Sequence, residues 1–229
     1  MLENYPGAKD TQHVYKTIIN NIPKTEYFEE LFAGSAAITF ELLKVKVLPY
    51  LTKLNDLNQK VIDELKVKFE NQCVFYTCCD ALEYLELFGN DNTERVYFLD
   101  PPYKHETRPG NEKLYEHEMT DNDHVKLLQT VLQTKGKFMI IHPKCDLYDT
   151  MLKDWRKVEI KIRYHKKTSI ECLYMNYPEP TELQTYAYLG KDCWDRQRIK
   201  RKASSIVEKF KKMPVLERNY VLNELCKNL

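Results

Sequence analysis

The chain has 229 residues, 43% of them hydrophobic and 12% aromatic, with a formal net charge of +1. That length suits one domain with a small appendage and a substantial core, and the near-neutral charge excludes a uniformly basic polyanion binder, so any such site must come from local clustering. No apolar run reaches the roughly 18 residues of a membrane span, there is no internal repeat or low-complexity segment, and the opening MLENYPGAKD lacks the apolar core of a secretory signal.

Short apolar runs alternate with helical patterns. Residues 27–32 (YFEELF) predict a strand and 36–45 (AAITFELLKV) a helix; 50–56 (YLTKLND) predict a second strand and 58–69 a second helix. The alternation continues with a strand over 73–78 (CVFYTC), a helix over 81–88 (ALEYLELF) and a strand over 95–100 (RVYFLD). A helix over 121–134 and a strand over 137–142 (KFMIIH) follow the next loop. This rhythm argues for a parallel sheet covered on both faces. The last two strands, 157–164 and 169–177, are separated only by HKKT. Four residues cannot hold a crossover helix, so these strands pair antiparallel. The expected fold class is α/β: a doubly wound mixed sheet with a terminal antiparallel hairpin over residues 1–189, then a basic helical extension over 190–229. Seven cysteines without C-x-x-C pairs read as buried reduced thiols of a cytosolic protein, not as a zinc site.

In an open sheet of this kind, ligands bind outside the carboxyl ends of the strands. ELFAGSAAI (30–38) reads as strand, tight turn and helix start. Gly34 permits a backbone conformation that other residues resist, and the small residues around it let a ligand approach the main chain near a helix start that favours negative charge. The pattern is not the dinucleotide G-x-G-x-x-G. Asp56 ends the second strand and Asp80 the third; each reads either as a ligand acceptor or as a helix cap. FLDPPY (98–103) ends the fourth strand on Asp100. Pro101 and Pro102 have fixed φ and no N–H, so the turn is rigid while its carbonyls still accept hydrogen bonds. Tyr103 adds a flat face for stacking. Two acceptors and one aromatic plane suit an exocyclic amine on a planar base, drawing it toward sp³ geometry and stabilising positive charge on nitrogen. His142, at the end of the fifth strand before Pro143, reads as a satisfied turn histidine, not a catalytic one.

Together these residues resemble the Dam-like DNA adenine-N6 methyltransferases, especially compact bacterial and phage types. YPGAKD (5–10), FAGSA (32–36), DPPY (100–103), LYEHEMTDNDH (114–124) and ECLYMNYP (171–178) carry the resemblance, which runs from about residue 4 to the C-terminus. It implies a class I S-adenosylmethionine-dependent methyltransferase fold, Rossmann-like, and methyl transfer to N6 of a flipped-out adenine, without a metal. It places Tyr5, Lys9, Phe32, Ala33, Gly34, Ser35, Ala36, Asp56, Asp80 and Asp100 around S-adenosylmethionine. Asp100, Pro101, Pro102 and Tyr103 become the catalytic turn. DNA is the implied partner, a restriction endonuclease a further one, and the cytoplasm of a bacterium or phage-infected host the implied compartment.

Ala36 stands where that family usually has a second glycine, which leads us to expect weakened cofactor binding. Residues 37–99 number 63 and are consumed by the predicted elements, leaving no room for the target-recognition domain of larger relatives. DNA contacts are therefore expected from the loop 104–120, through Lys104, His105, Arg108, Lys113 and Tyr115. The hairpin tip His165, Lys166 and Lys167 and the tail residues Arg198, Lys200, Arg201 and Lys202 complete the expected set. The tail segment 195–212 holds eight Lys or Arg against two acids. Cytosine-N4 or RNA methylation, and a catalytically silent binding module, are the competing readings. The residues do not reveal the recognition sequence or the oligomeric state.

Overall fold

The computed structural model describes residues 14–90, 93–108, 115–164 and 167–228, with the side chains of 163, 164, 167 and 168 excepted. Tyr5, Lys9, Lys113, His165, Lys166 and the side chain of Lys167 therefore lie outside the described part. The strands are β1 (Tyr27–Glu30), β2 (Leu51–Asn55), β3 (Val74–Thr77), β4 (Val96–Leu99), β5 (Lys137–Pro143), β6 (Arg156–Tyr164) and β7 (Lys167–Met175). They form one sheet in the order β3-β2-β1-β4-β5-β7-β6. The first five run parallel, with Phe28 opposite both Thr52 and Val96. β7 runs against β5, with Ile141 opposite Leu173, and against β6, with Val158 opposite Leu173. The doubly wound mixed sheet with its terminal hairpin is thus as expected.

The helices are α1 (Val14–Ile19), α2 (Ala37–Lys44), α3 (Gln59–Lys68), α4 (Ala81–Phe88), α5 (Asp121–Gln133), α6 (Asp146–Met151), α7 (Cys193–Lys211) and α8 (Val215–Asn228). One core joins Ala33, Ala36 and Leu54 to Val61, Ile62 and Leu65 of α3. Another joins Tyr97, Leu99, Phe138 and Ile140 to Tyr84 and Leu85 of α4, Leu127 and Leu128 of α5 and Tyr148 of α6. Helix starts follow from their caps. Asn58 accepts the Lys60 N–H at 3.0 Å, Asp80 the Leu82 N–H at 2.7 Å, and Thr120 forms a reciprocal capping box with Asp123. Helices α1 and α6 lie where periodicity predicts no element. Six residues give the 3.6-residue period too few repeats, and Cys145 supplies no side-chain cap to α6.

The adjacent acids of β1 divide between the two faces, as strand alternation requires. Glu29 is fully buried, with Arg95 at 3.4 Å and Lys53 at 3.8 Å; burial pushes its carboxyl up. Glu30 points the other way, toward α2. The expectation of buried thiols holds only for Cys145 and Cys172. Cys79 is half-buried, and Cys73, Cys78, Cys193 and Cys226 are exposed, because Cys73 and Cys78 flank the edge strand β3 and the other two sit on the outer helices.

The chain divides into two compact units, one ending at Ala187 and one starting at Tyr188. The second is the helix pair α7 and α8. No residue of either helix is buried. Among the described residues, no helix is long and apolar enough to cross a membrane.

Candidate active site

Chain order reverses across the sheet between β1 and β4, the place where open α/β sheets bind ligands. A cavity of about 500 Å³ opens there. Four successive parallel strands end on an acid that lines it: Glu30 on β1, Asp56 after β2, Asp80 after β3 and Asp100 after β4.

The turn after β1 is built for a close approach. Gly34 adopts φ 47° and donates its N–H to Asp56 Oδ2 at 2.9 Å. Ala33 donates its N–H to the Asn55 carbonyl, also at 2.9 Å, which ties the turn to β2. Phe32, Gly34 and Ser35 line the cavity, whereas Ala33 and Ala36 do not. Ala36 is fully buried at φ 49°, ψ 48°, with its methyl in the core beneath α3. Ala36, read as a cofactor-binding residue, is packed in the core and is not on the cavity wall. Its methyl does not intrude on the cavity, and its cost is backbone strain of roughly 1–2 kcal/mol at a left-handed position. Ala36 gives α2 no side-chain cap, so Glu30 does the work from the strand. Its Oε1 accepts the Thr39 N–H at 2.7 Å and the Thr39 hydroxyl at 2.5 Å. Burial pushes the Glu30 carboxyl up to about 7, with Asp100 adding repulsion.

Asp56 is no helix cap; that place belongs to Asn58. Its Oδ1 accepts the Asn58 N–H and its Oδ2 the Gly34 N–H, both at 2.9 Å. Burial pushes its carboxyl up while these two N–H groups pull it down. Asp56→Ala is therefore expected to loosen the glycine turn and remove a charged acceptor from the cavity. Hydrogen bonds to charged groups contribute roughly 1.5–3 kcal/mol, so affinity for the S-adenosylmethionine that the family resemblance implies should fall about ten- to hundredfold. Unchanged affinity by calorimetry would reduce Asp56 to a brace for the turn. Asp80 caps α4, and it also forms part of the cavity wall.

Asp100 and Pro102 line the cavity, and Pro101 is buried behind them. Tyr103 is fastened: its hydroxyl donates to Glu171 Oε1 at 2.6 Å, and its ring meets His142 edge-on at 5.5 Å. His142 is fully buried. Its Nε2 accepts the Lys104 N–H at 3.2 Å, and its Nδ1 lies 2.7 Å from the Pro143 carbonyl. A neutral ring protonated at Nδ1 satisfies both contacts. It stacks on Tyr148 at 4.1 Å. The histidine is a satisfied one, as read, and it also pins the backbone just after the DPPY turn. Behind it, His124 faces the Tyr148 hydroxyl at 2.9 Å, and burial pushes its imidazole down to about 4.

The loop 104–120 departs most from expectation. Lys104 and Arg108, read as DNA contacts to phosphates or bases, are buried. Lys104 Nζ pairs with Glu106 at 2.9 Å and Asp121 at 3.5 Å, and Arg108 is held by Glu118 and the Tyr103 carbonyl. Carboxylates of the same loop have claimed both cations. Tyr115 lines the cavity together with Glu116, His117, Glu118 and Met119, while His105 is exposed. Among the tail residues, Lys200, Arg201 and Lys202 are exposed, and Arg198 pairs with Asp195 at 2.7 Å.

Glu30 was missed. The signal was present, since it is a strand-end acid like the other three, but the run EELF reads first as strand. The cavity as a whole suits a cationic ligand rich in hydroxyl and amino groups, because carboxylates dominate its wall.

A profile of the D12 class N6 adenine-specific DNA methyltransferases matches residues 50–171. No curated protein sequence matches the chain. Among solved structures, an uncharacterized protein from Listeria monocytogenes serotype 4b aligns with a TM-score of 0.51 at 9% identity, covering 94% of each chain. Precorrin-6y C5,15-methyltransferase from Geobacter metallireducens aligns at 0.49 and 12% identity, covering 74% of this chain and 90% of its own. TrmK from M. capricolum, solved with S-adenosylhomocysteine, aligns at 0.46 and 11% identity, covering 95% and 96%. The fold is that of the class I S-adenosylmethionine-dependent methyltransferases, and the matched segment contains the ends of β2, β3 and β4 with Asp56, Asp80 and the DPPY turn. The chain belongs to the D12 class N6 adenine-specific DNA methyltransferase family.

Proposed function

We propose that this methyltransferase acts on the N6 amino group of adenine in DNA, with the base flipped out of the duplex. The observation that carries the reading is the placement of Asp100 and Pro102 on the wall of the same cavity that Glu30, Gly34 and Asp56 line. A base entering over Asp100 would sit beside whatever fills that cavity. S-adenosylmethionine supplies a methyl group already activated on a sulfonium, so no metal is called for. The fit is electrostatic as well as spatial, because buried carboxylates favour a bound cation. Asp100 and the Pro101 carbonyl accept hydrogen bonds from the amine and stabilise the positive charge developing on nitrogen. Tyr103 supplies an aromatic face for the base, its hydroxyl anchored by Glu171.

Methyl transfer from tritiated S-adenosylmethionine to plasmid DNA, followed by nucleoside digestion, tests the reading. Label in N6-methyladenine is expected. Label only in N4-methylcytosine or in added RNA would move the substrate, and no transfer at all would point to a silent binding module.

A pH dependence follows from Glu30. With its carboxyl raised to about 7, the free protein holds a proton there below neutrality. A cation bound in the cavity favours the carboxylate and expels that proton. Cofactor affinity should therefore rise as pH increases from about 5.5 to 7.5, with up to one proton released per binding event near pH 6.5. Calorimetry in buffers of different ionisation enthalpy reads the release directly, and Glu30→Gln should abolish it. Release that persists in Glu30→Gln would assign the proton to another group.

A further inference from the structure

Arg108 stands in a loop expected to meet phosphate, yet its side chain is only 2% exposed. Its Nε donates to the Tyr103 carbonyl at 2.7 Å, and Nη2 donates to the same oxygen. Nη1 donates to Glu118 at 3.0 Å, with Nη2 on the other carboxylate oxygen. Tyr103 is the last residue of the DPPY turn. Glu118 belongs to the cavity wall, and its Oε1 also accepts the Tyr115 N–H at 2.9 Å. Two residues before it, Glu116 accepts a hydrogen bond from the Asn58 side chain at 2.7 Å, next to the cavity acid Asp56. The wall 115–119 is thus tied at one end to the β2 side of the cavity and at the other to the catalytic turn.

A guanidinium is suited to that second tie. It is planar and always charged, and it can grip a carboxylate and a carbonyl at fixed angles, which an ammonium cannot. Burial leaves the pair largely unscreened by salt. We propose that Arg108 is a positioning residue that couples occupancy of the cofactor cavity to the placement of the DPPY turn. A ligand that orders the wall at Tyr115–Met119 fixes Glu118, and Glu118 through Arg108 fixes the Tyr103 carbonyl. The inference rests on the cofactor reading above and extends it, since the cofactor then prepares the turn for the base. By linkage, a base held at the turn tightens the cofactor by the same factor.

Hydrogen–deuterium exchange of the full chain with and without saturating S-adenosylhomocysteine tests this without any need for the DNA target. In the wild type, slowed exchange is expected both in the wall, 115–119, and in the turn, 103–108. The effect in the turn should be about fivefold or more, the low end of ordinary coupling. In Arg108→Gln the wall should still be protected, while protection of the turn falls below about twofold. Arg108→Lys should resemble Arg108→Gln, because an ammonium lacks the planar fork that grips the carboxylate and the carbonyl at fixed angles. If Arg108→Gln does not fold, Glu118→Gln carries the test, since it leaves Arg108 on the Tyr103 carbonyl and weakens its grip on the wall. Full protection of the turn in the folded variants would overturn the coupling. So would a wild type that binds the probe and protects the wall alone. A wild type that does not bind S-adenosylhomocysteine would overturn the cofactor reading itself.

Discussion

Asp100→Ala is expected to lower single-turnover methyl transfer by about a hundredfold or more, while the protein stays folded and keeps most of its cofactor affinity. The carboxylate acts on charge that appears on nitrogen only as the new bond forms, so its loss raises the barrier more than it weakens ground-state binding. The structure makes the effect large because little has to reorganise. β4 delivers Asp100 from a fully buried Leu99, and two prolines fix the next two φ angles. Beyond them Tyr103 is tied to Glu171 and the Lys104 N–H to His142. The acceptor is therefore held in place before substrate arrives. Asp100→Asn sharpens the test by keeping size and one acceptor oxygen while removing the charge. Its rate should fall between wild type and alanine. Transfer by folded Asp100→Ala within about threefold of wild type would defeat the mechanism.

The sheet was legible because its strands are runs of apolar residues closed by strand-end acids. Val96 to Leu99 is buried at every position, and the acid that follows marks the ligand edge. What escaped depends on long-range partners. YFEELF hides two acids in one strand, and only the pleat reveals that Glu29 faces Arg95 while Glu30 caps α2. Ala36 looked like a defect in a glycine loop because its direction could not be read, and its methyl turns into the core. Arg108 looked like a solvent-facing cation. Its acceptors are a carbonyl five residues back and a carboxylate ten residues on, a closure that no local pattern announces. The short helices α1 and α6 are products of tertiary packing more than of periodicity.

With Lys104 and Arg108 turned inward, attraction for a polyanion must come mostly from elsewhere. Residues 188–229 carry 11 Lys or Arg against 5 Asp or Glu, a net charge of +6, and residues 1–187 carry 24 against 29, a net charge of −5. The cavity itself is walled by carboxylates. A catalytic unit of that sign repels DNA at long range, and flipping a base adds a cost of a few kcal/mol. We propose the basic helix α7 as the counterweight in this chain, with Arg198, Lys200, Arg201 and Lys202 clustered in its middle. Replacing all four with alanine is expected to weaken binding to every duplex alike, because phosphate contacts position DNA without reading it. Each lost contact lowers the log–log salt slope by about 0.9, so four would lower it by about 3.6. Arg198 already pairs with Asp195 on the surface, which brings the expected change nearer 3. The corresponding loss of affinity at low salt is roughly a hundredfold, shrinking as salt rises. Equilibrium binding to two unrelated duplexes across a salt series reads both quantities, and methylation under saturating DNA should be spared. An unchanged slope would show that α7 is only a solvated helix and would return DNA attraction to the loop and hairpin. A loss confined to one of the two duplexes would mean instead that α7 reads sequence.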